Sequence, residues 1–152
     1  KQLAKIDLTH VPYKGTGPAL NDLMGRQISL LFGPLISAVP CIKAGKVRGL
    51  AVTSPKRAPA APDLPTMIET GVPGYDVVSW YGLHTQIKSP RAVIERVNRE
   101  INRILNESDV RERLISIGMD PTPITADQFQ AMSKSEVARW AKLIKDLGLR
   151  TE

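Results

Sequence analysis

The sequence predicts an α/β fold with a parallel-rich sheet and a helical carboxyl-terminal part. Two observations carry that expectation. Residues 7 to 53 run strand, helix, strand, helix, strand, an order that implies parallel pairing. The last 75 of the 152 residues then read as one strand followed by three well-punctuated helices. Composition allows a packed core, with 42% hydrophobic and 24% charged residues.

Asp7 to Tyr13 alternates and is partly β-branched, as a short strand does. Lys14-Gly15-Thr16-Gly17-Pro18 is a loop by its glycines and proline, with Pro18 able to sit in a first helical turn. The helix continues through Met24 and stops at Gly25. Gln27 to Phe32 is the second strand and Gly33-Pro34 the turn after it. Leu35 to Ala44 reads as a short helix stopped by Gly45, weakened or kinked by Pro40 unless that proline lies in the first turn. Lys46 to Thr53 is the third strand.

Pro55, Pro59, Pro62, Pro65 and Pro73 make residues 54 to 75 a connector, with a short helix from Thr66 to Glu69 ended by Gly71. Asp76 to Leu83 is the fourth strand. Ser89-Pro90 is expected to cap a helix bearing Val93, Ile94, Val97, Ile101, Ile104 and Leu105 on one face. Ser108-Asp109 caps the next, with Val110, Leu114 and Ile117 inward and Gly118 at its end. Thr125 and Gln128 form a capping box for a longer helix that buries Phe129, Met132, Trp140 and Ile144 and closes at Gly148. The division is therefore residues 1–77, half of an α/β unit, and 78–152, a strand plus helices. A lone strand makes no sheet, so its partners come from the first part or from another chain.

Several function classes fall away. No apolar run approaches the ~20 residues of a membrane helix. One cysteine, Cys41, leaves no disulfide framework, and two distant histidines, His10 and His84, give no metal-ligand spacing. No serine sits in a nucleophile elbow, and Lys14 has no sign of the desolvated pocket that a Schiff-base lysine needs. No catalytic residue, cofactor or metal is expected. The net charge of +6 is uneven: residues 1–57 carry +7 and the remainder −1. A basic half attracts anions, from carboxylates to nucleic acid, or is simply a solvated surface. A basic nucleic-acid-binding α/β module is thus the rival reading, although aromatic residues do not interleave with the basic ones.

Three segments are candidates for binding. Tyr13, Lys14, Gly15, Thr16 and Gly17 join a strand to a helix, where converging N–H groups, a hydroxyl and a cation suit a carboxylate or phosphate. An ordinary glycine-containing turn has the same composition. The segment is neither a P-loop nor a dinucleotide fingerprint. Phe32 and Gly33 form the equivalent turn after the next strand, at the same carboxyl edge of a parallel sheet. Ser79, Trp80 and Tyr81 place adjacent aromatics on a strand, so that Trp80 either packs in the core or caps a cleft.

Taken together the chain resembles the solute-binding proteins of tripartite tricarboxylate transporters. The resemblance rests on Val11-Pro12-Tyr13-Lys14-Gly15, Pro18-Ala19 and Asp22-Leu23, then Ile42 to Arg48, Leu50 to Ser54 and Arg57. It continues through Pro62 to Thr66, Glu69 to Gly74, Trp80 to Leu83, and Glu136 to Trp140. Order and spacing match along nearly the whole chain.

The resemblance implies a periplasmic-binding-protein-like clamp of two α/β domains closing on a small carboxylate, here incomplete because the family's amino-terminal half is missing. Residues 1–77 would be the later part of the second domain, and 78–152 the crossover strand and carboxyl-terminal helices of the first. Lys1-Gln2-Leu3-Ala4-Lys5 would be the tail of a helix already begun. Tyr13 to Gly17 would line the cleft, with Phe32 and Gly33 beside them and Ser79 to Tyr81 at the crossover. Backbone N–H groups and hydroxyls would bind the carboxylate. The expected partners are a small carboxylate and, in the full-length protein, membrane transporter subunits, with no nucleic acid. The resemblance implies a periplasmic location, and self-association of the shortened chain is expected from its uncovered apolar faces. Two departures stand out. Ser29 replaces a frequent Asp after Gly25-Arg26-Gln27-Ile28, which alters the expected cleft floor. Thr85 to Pro90 replaces a small Ala-Pro-Ala-Gly-Thr-Pro stretch in a loop.

Overall fold

The computed structural model describes Ala4 and residues 6–148. The expectation that residues 1–5 end a helix lies, Ala4 aside, outside the described residues. Five helices follow in order: α1 (Thr16–Met24), α2 (Leu35–Lys43), α3 (Arg91–Leu105), α4 (Ser108–Ser116) and α5 (Ala126–Asp146). The chain divides into two compact units. One is Lys1–Gly82 with Ser108–Pro121, and the other is Leu83–Glu107 with Thr122–Glu152.

In the first unit the predicted strands do not assemble into a sheet. Among the described residues the one β-bridge is parallel and joins Val52 to Thr66. The Val52 N–H donates to the Pro65 carbonyl at 2.8 Å, and the Met67 N–H donates to the Val52 carbonyl at 2.9 Å. The next carbonyl along, Thr53, faces the opposite side and accepts from the Val77 N–H at 3.0 Å. This two-sided pattern is that of a strand with a neighbour on each side, reduced to single hydrogen bonds. No β-ladder forms among the described residues along the segments expected as strands at 7–13 and 27–32, and a strand without a ladder is not one.

Helix ends account for much of the local order. Helix α1 stops at Gly25 as expected, with Gly25 as its C-cap and Arg26 (φ 59°) the left-handed residue after it. The Arg26 N–H reaches the Leu23 carbonyl and the Gln27 N–H reaches that of Asp22, which forms a Schellman turn. Pro40 lies inside α2, beyond the first turn, yet the helix runs on to Lys43. A proline at that place removes the one bond it would have made to the carbonyl four residues back, and Gly45 (φ 66°) still closes the helix. Helix α4 ends on Gly118 (φ 92°), whose N–H and that of Met119 return to Ile115 and Leu114. A Cβ at Gly118 would lie 2.9 Å from the Ile36 nitrogen, so glycine lets the end of α4 meet the first turn of α2.

The connector is tied rather than helical. After the bridge residue Thr66, Met67 to Gly71 forms a turn, with Glu69 accepting from the Thr66 N–H at 2.6 Å and the Thr66 hydroxyl accepting from the Glu69 N–H at 3.1 Å. Arg57 grips the same carboxylate through Nε at 3.0 and 3.1 Å, and also donates to the Pro62 carbonyl. These contacts hold the Glu69 carboxyl at about 2, the Arg57 bond being the largest cause and the Thr66 N–H the next.

The second unit pairs α3 with α5. Thr125 and Gln128 make the expected capping box, each side chain accepting from the other's backbone N–H. Asn98 and Asn102 both donate to the Ile124 carbonyl just before α5, at 3.0 and 2.9 Å. Arg91 makes a two-pronged contact with Asp127 at 2.8 Å. Ser89 does not cap α3; its hydroxyl pairs with that of Thr85 at 2.6 Å, and Pro90 takes the cap position.

Burial falls short of expectation. The buried apolar residues are Ala19, Leu20, Val39 and Val52, joined by the polar Thr66. Val93, Val97, Ile104, Ile117 and Ile144, expected inward, are exposed, and α3, α4 and α5 have no buried residue among those described. An amphipathic stripe is buried only where another element covers it, and the described residues supply no such cover.

Two outcomes follow from these contacts. Gly118→Ala lowers stability by ~2–4 kcal/mol, combining the left-handed φ with backbone overlap. Gly49→Ala, whose Cβ meets the movable methyls of Leu64 and Ile42, costs about 1 kcal/mol. Urea midpoints at unchanged slope check both. Because the Glu69 pKa is depressed when folded, the latch stabilises fully above about pH 4.3, the ordinary glutamate value, and this is lost as pH falls toward about 2. Glu69→Gln removes that part of the acid sensitivity, which is read as a flatter stability–pH curve than the parent's over the same window.

Candidate functional site

The loop Tyr13 to Gly17 leads into α1 as its residue types dictate. Gly15 is the N-cap, with φ 155° and ψ 173°, a conformation open to glycine and little else. Glycine has no side chain, so nothing caps the helix from within, and the first turn holds no acidic residue. Gly15, Thr16 and Gly17 present N–H groups that an α-helix leaves without intrahelical acceptors. Pro18 falls in the first turn as expected, where its missing N–H removes no bond. Ala19 and Leu20 are buried and anchor the helix. Exposed Lys14 adds a full positive charge beside the partial charge of the helix end.

The second candidate meets the first. A Cβ built on Gly33 would lie 3.5 Å from the Thr16 methyl group, so the turn after residue 32 adjoins the start of α1. Phe32 is 57% exposed, and its ring presents an apolar surface next to that turn. Pro34 is the N-cap of α2 and likewise supplies no side-chain hydrogen bond, but Gly118 packs against that helix start, whereas a Cβ at Gly15 or Gly17 would meet nothing within 4 Å. Of the two helix starts, that of α1 is the open one.

The third candidate belongs to the same compact unit. Ser79, Trp80 and Tyr81 follow Val77, which is hydrogen-bonded to Thr53, and all three are exposed, Tyr81 by 65%. Among the described residues no group of three or more His, Cys, Asp or Glu could hold a metal ion, and no helix is long and apolar enough to cross a membrane.

One residue of the site escaped the reading of single segments. The Tyr13 hydroxyl donates to Oδ2 of Asp22 at 2.7 Å, across nine positions, in a partly buried contact. The bond raises the Tyr13 pKa above its ordinary value, followed in weight by partial burial and by the Asp22 charge. Asp22 stands two turns into α1, so the helix reaches back and fixes the side chain that opens its own loop.

Comparison with known proteins decides the family. Residues 1–149 match the tripartite tricarboxylate transporter family receptor (TctC). The chain belongs to that family. A UPF0065 protein from the tcbD–tcbE intergenic region of Pseudomonas sp. strain P51 is 37% identical over 147 residues, 96% of this chain and 44% of that protein. Another, from the clcB–clcD intergenic region of Pseudomonas knackmussii, is 32% identical over 97% of this chain and 88% of its own length. The chain spans about half the length of the first of these relatives and of each solved structure named below. Rpa4515 of R. palustris, solved with adipate, superposes with a TM-score of 0.88 at 34% identity, over 96% of this chain and 49% of its own. The periplasmic binding protein BugD gives 0.84 at 35%, over 99% and 51%. MatC of Rhodopseudomonas palustris, with bound malate, gives 0.77 at 34%, over 94% and 50%. The fold of this TctC-family chain is therefore periplasmic-binding-protein-like.

The loop geometry is testable without a ligand. Gly15→Ala forces a backbone change and moves the amide resonances of Thr16 and Gly17. Gly17→Ala, with open space and no left-handed φ, leaves the same region unchanged beyond its own neighbours. A ¹⁵N–¹H correlation spectrum of each variant makes the comparison.

Proposed function

We propose that this chain carries a carboxylate-recognition loop of an extracytoplasmic solute-binding receptor. The receptor captures a small carboxylate for a tripartite secondary transporter and carries out no chemical step. The observation that carries the reading is the open start of α1, set beside the Gly33 turn, in a chain that superposes on half of an adipate-bound relative. A carboxylate is the size and charge of ligand that three convergent N–H groups, the Thr16 hydroxyl and the Lys14 ammonium accommodate together. Phe32 supplies an apolar wall for the carbon chain. The periplasmic location, the membrane subunits and the completion of a two-domain clamp belong to the same proposal, supported by family membership.

One half of a cleft binds weakly, and chemical-shift titration reads millimolar affinity. Titrating the ¹⁵N-labelled chain with adipate and malate to about 20 mM at constant ionic strength is expected to move the amides of Gly15, Thr16, Gly17, Ala19 and Gly33 together, with a Kd of order 1–10 mM. The nucleic-acid alternative rests on the +7 charge of residues 1–57. A silent carboxylate titration, with salt-sensitive shifts at Lys43, Lys46, Arg48 and Lys56 on adding a duplex oligonucleotide, overturns the receptor reading in its favour.

A further inference from the structure

We propose that two copies of this chain associate through the second compact unit, with the apolar stripe of α3 and the second half of α5 as the contact surface. The inference stands apart from the receptor reading, since no residue of the α1 loop takes part in it. Three observations carry it.

The first is where the stripe lies. Asn98 and Asn102 donate to the Ile124 carbonyl just before α5, and Arg91 binds Asp127 in its first turn. The row 91, 98, 102 is therefore the one that α3 turns toward α5. Val93, Val97 and Ile104 recur on a row about 140° round the helix from it. They are exposed by 53%, 41% and 40%. Glu100 and Glu107 share that row, and Arg103 engages both, at 3.1 and 2.6 Å. Their charges are taken up within the helix, so two stripes can meet without opposing unpaired carboxylates. In α5, Val137 and Ile144 are seven residues apart on one row and are exposed too. Neither helix has a buried residue among those described. A helix pair without a core is not held together by propensity alone.

The second is area. The chain exposes 11875 Å². Two separately folded bodies of the sizes of these units expose roughly 9,000 Å² together. The surplus is about three times the ~800 Å² that each partner loses in a standard interface. The share of it on the second unit is enough for a stable dimer. The third observation is a relative. The Pseudomonas knackmussii protein is matched over 97% of this chain and 88% of its own length, so the family also occurs as a chain holding little beyond this stretch. In a chain of that extent, cover comes from a separate molecule. A second copy brings the same stripe and closes an isologous contact about a two-fold axis.

Sedimentation velocity from 2 to 200 µM, with light scattering for the mass, tests the proposal. The parent is expected to show a discrete monomer–dimer equilibrium with a Kd of order 10 µM or tighter. Val97→Asp and Val137→Asp, at positions already exposed, each raise that Kd at least tenfold by setting an unpaired charge in the contact. Val11→Asp, on an exposed apolar residue of the first unit, leaves it unchanged. Circular dichroism checks that helix content is kept. Hydrogen exchange of the parent at 2 and 200 µM needs no variant, and decides alone if both charged variants unfold. The amides of α3 and of residues 137–146 exchange at least fivefold more slowly at the higher concentration, and those of α1 do not change.

A parent that stays monomeric at 200 µM overturns the inference and leaves the stripe to another cover, such as the rest of a two-domain receptor. A dimer lost in Val11→Asp and kept in Val97→Asp and Val137→Asp lies on the first unit, which also overturns it. Masses that grow with concentration without a plateau at the dimer show non-specific aggregation and overturn it as well.

Discussion

Val52 is the residue around which the first compact unit closes. Its N–H and carbonyl are both bonded to the Pro65–Met67 segment, and the following carbonyl is bonded to Val77 on the other side. Its side chain and Thr66 are among the few buried groups. Backbone groups removed from water must be paired, so this crossing fixes which segments lie next to each other. The proline-rich connector loops out from the crossing and returns to it. The Arg57–Glu69–Thr66 contacts hold that loop in one conformation, because the prolines lack N–H groups to build a helix or ladder there.

The site stands on a different part of the same unit and uses a different economy of hydrogen bonds. Two other helix starts are closed, that of α5 by a capping box and that of α2 in part by the approach of Gly118. At α1 the cap position is a glycine that gives no side chain, and the first turn carries neither acid nor bulky group over it. Donors left open at a helix start bind water or an anion. The Asp22 carboxylate of the same helix accepts the Tyr13 hydroxyl at 2.7 Å, which ties the beginning of the loop to α1.

Helices α3 and α5 show what the described residues leave uncovered. Polar contacts align them, through Asn98, Asn102 and the Arg91–Asp127 pair, yet no side chain of either is buried. Exposed ion pairs of this kind add little stability. The apolar stripe at Val93, Val97 and Ile104 is exposed, on a chain that spans half the length of its solved relatives. The apolar faces and the absence of a β-ladder along 7–13 and 27–32 therefore express one fact: residues patterned for burial require a covering element that the described residues do not contain.

The sequence by itself determined the five helices, their order and most of their ends, because caps and periodicity act over three or four residues. Thr125 with Gln128, Pro18 in a first turn and the glycines at 45, 118 and 148 are legible on that scale. It also determined the glycine loop that opens α1, since Gly15 and Gly17 act on their own backbone, and the family, since matching segments recur along the chain. Tertiary structure alone decided the rest. The meeting of Gly33 with Thr16, the pairing of Val52 with Thr66 and the hydrogen bond from Tyr13 to Asp22 each join residues that no local rule brings together. Strands and buried faces were misjudged for the same reason. Periodicity says which side of a segment is apolar, but a strand or a core exists only when another segment is there to pair with it.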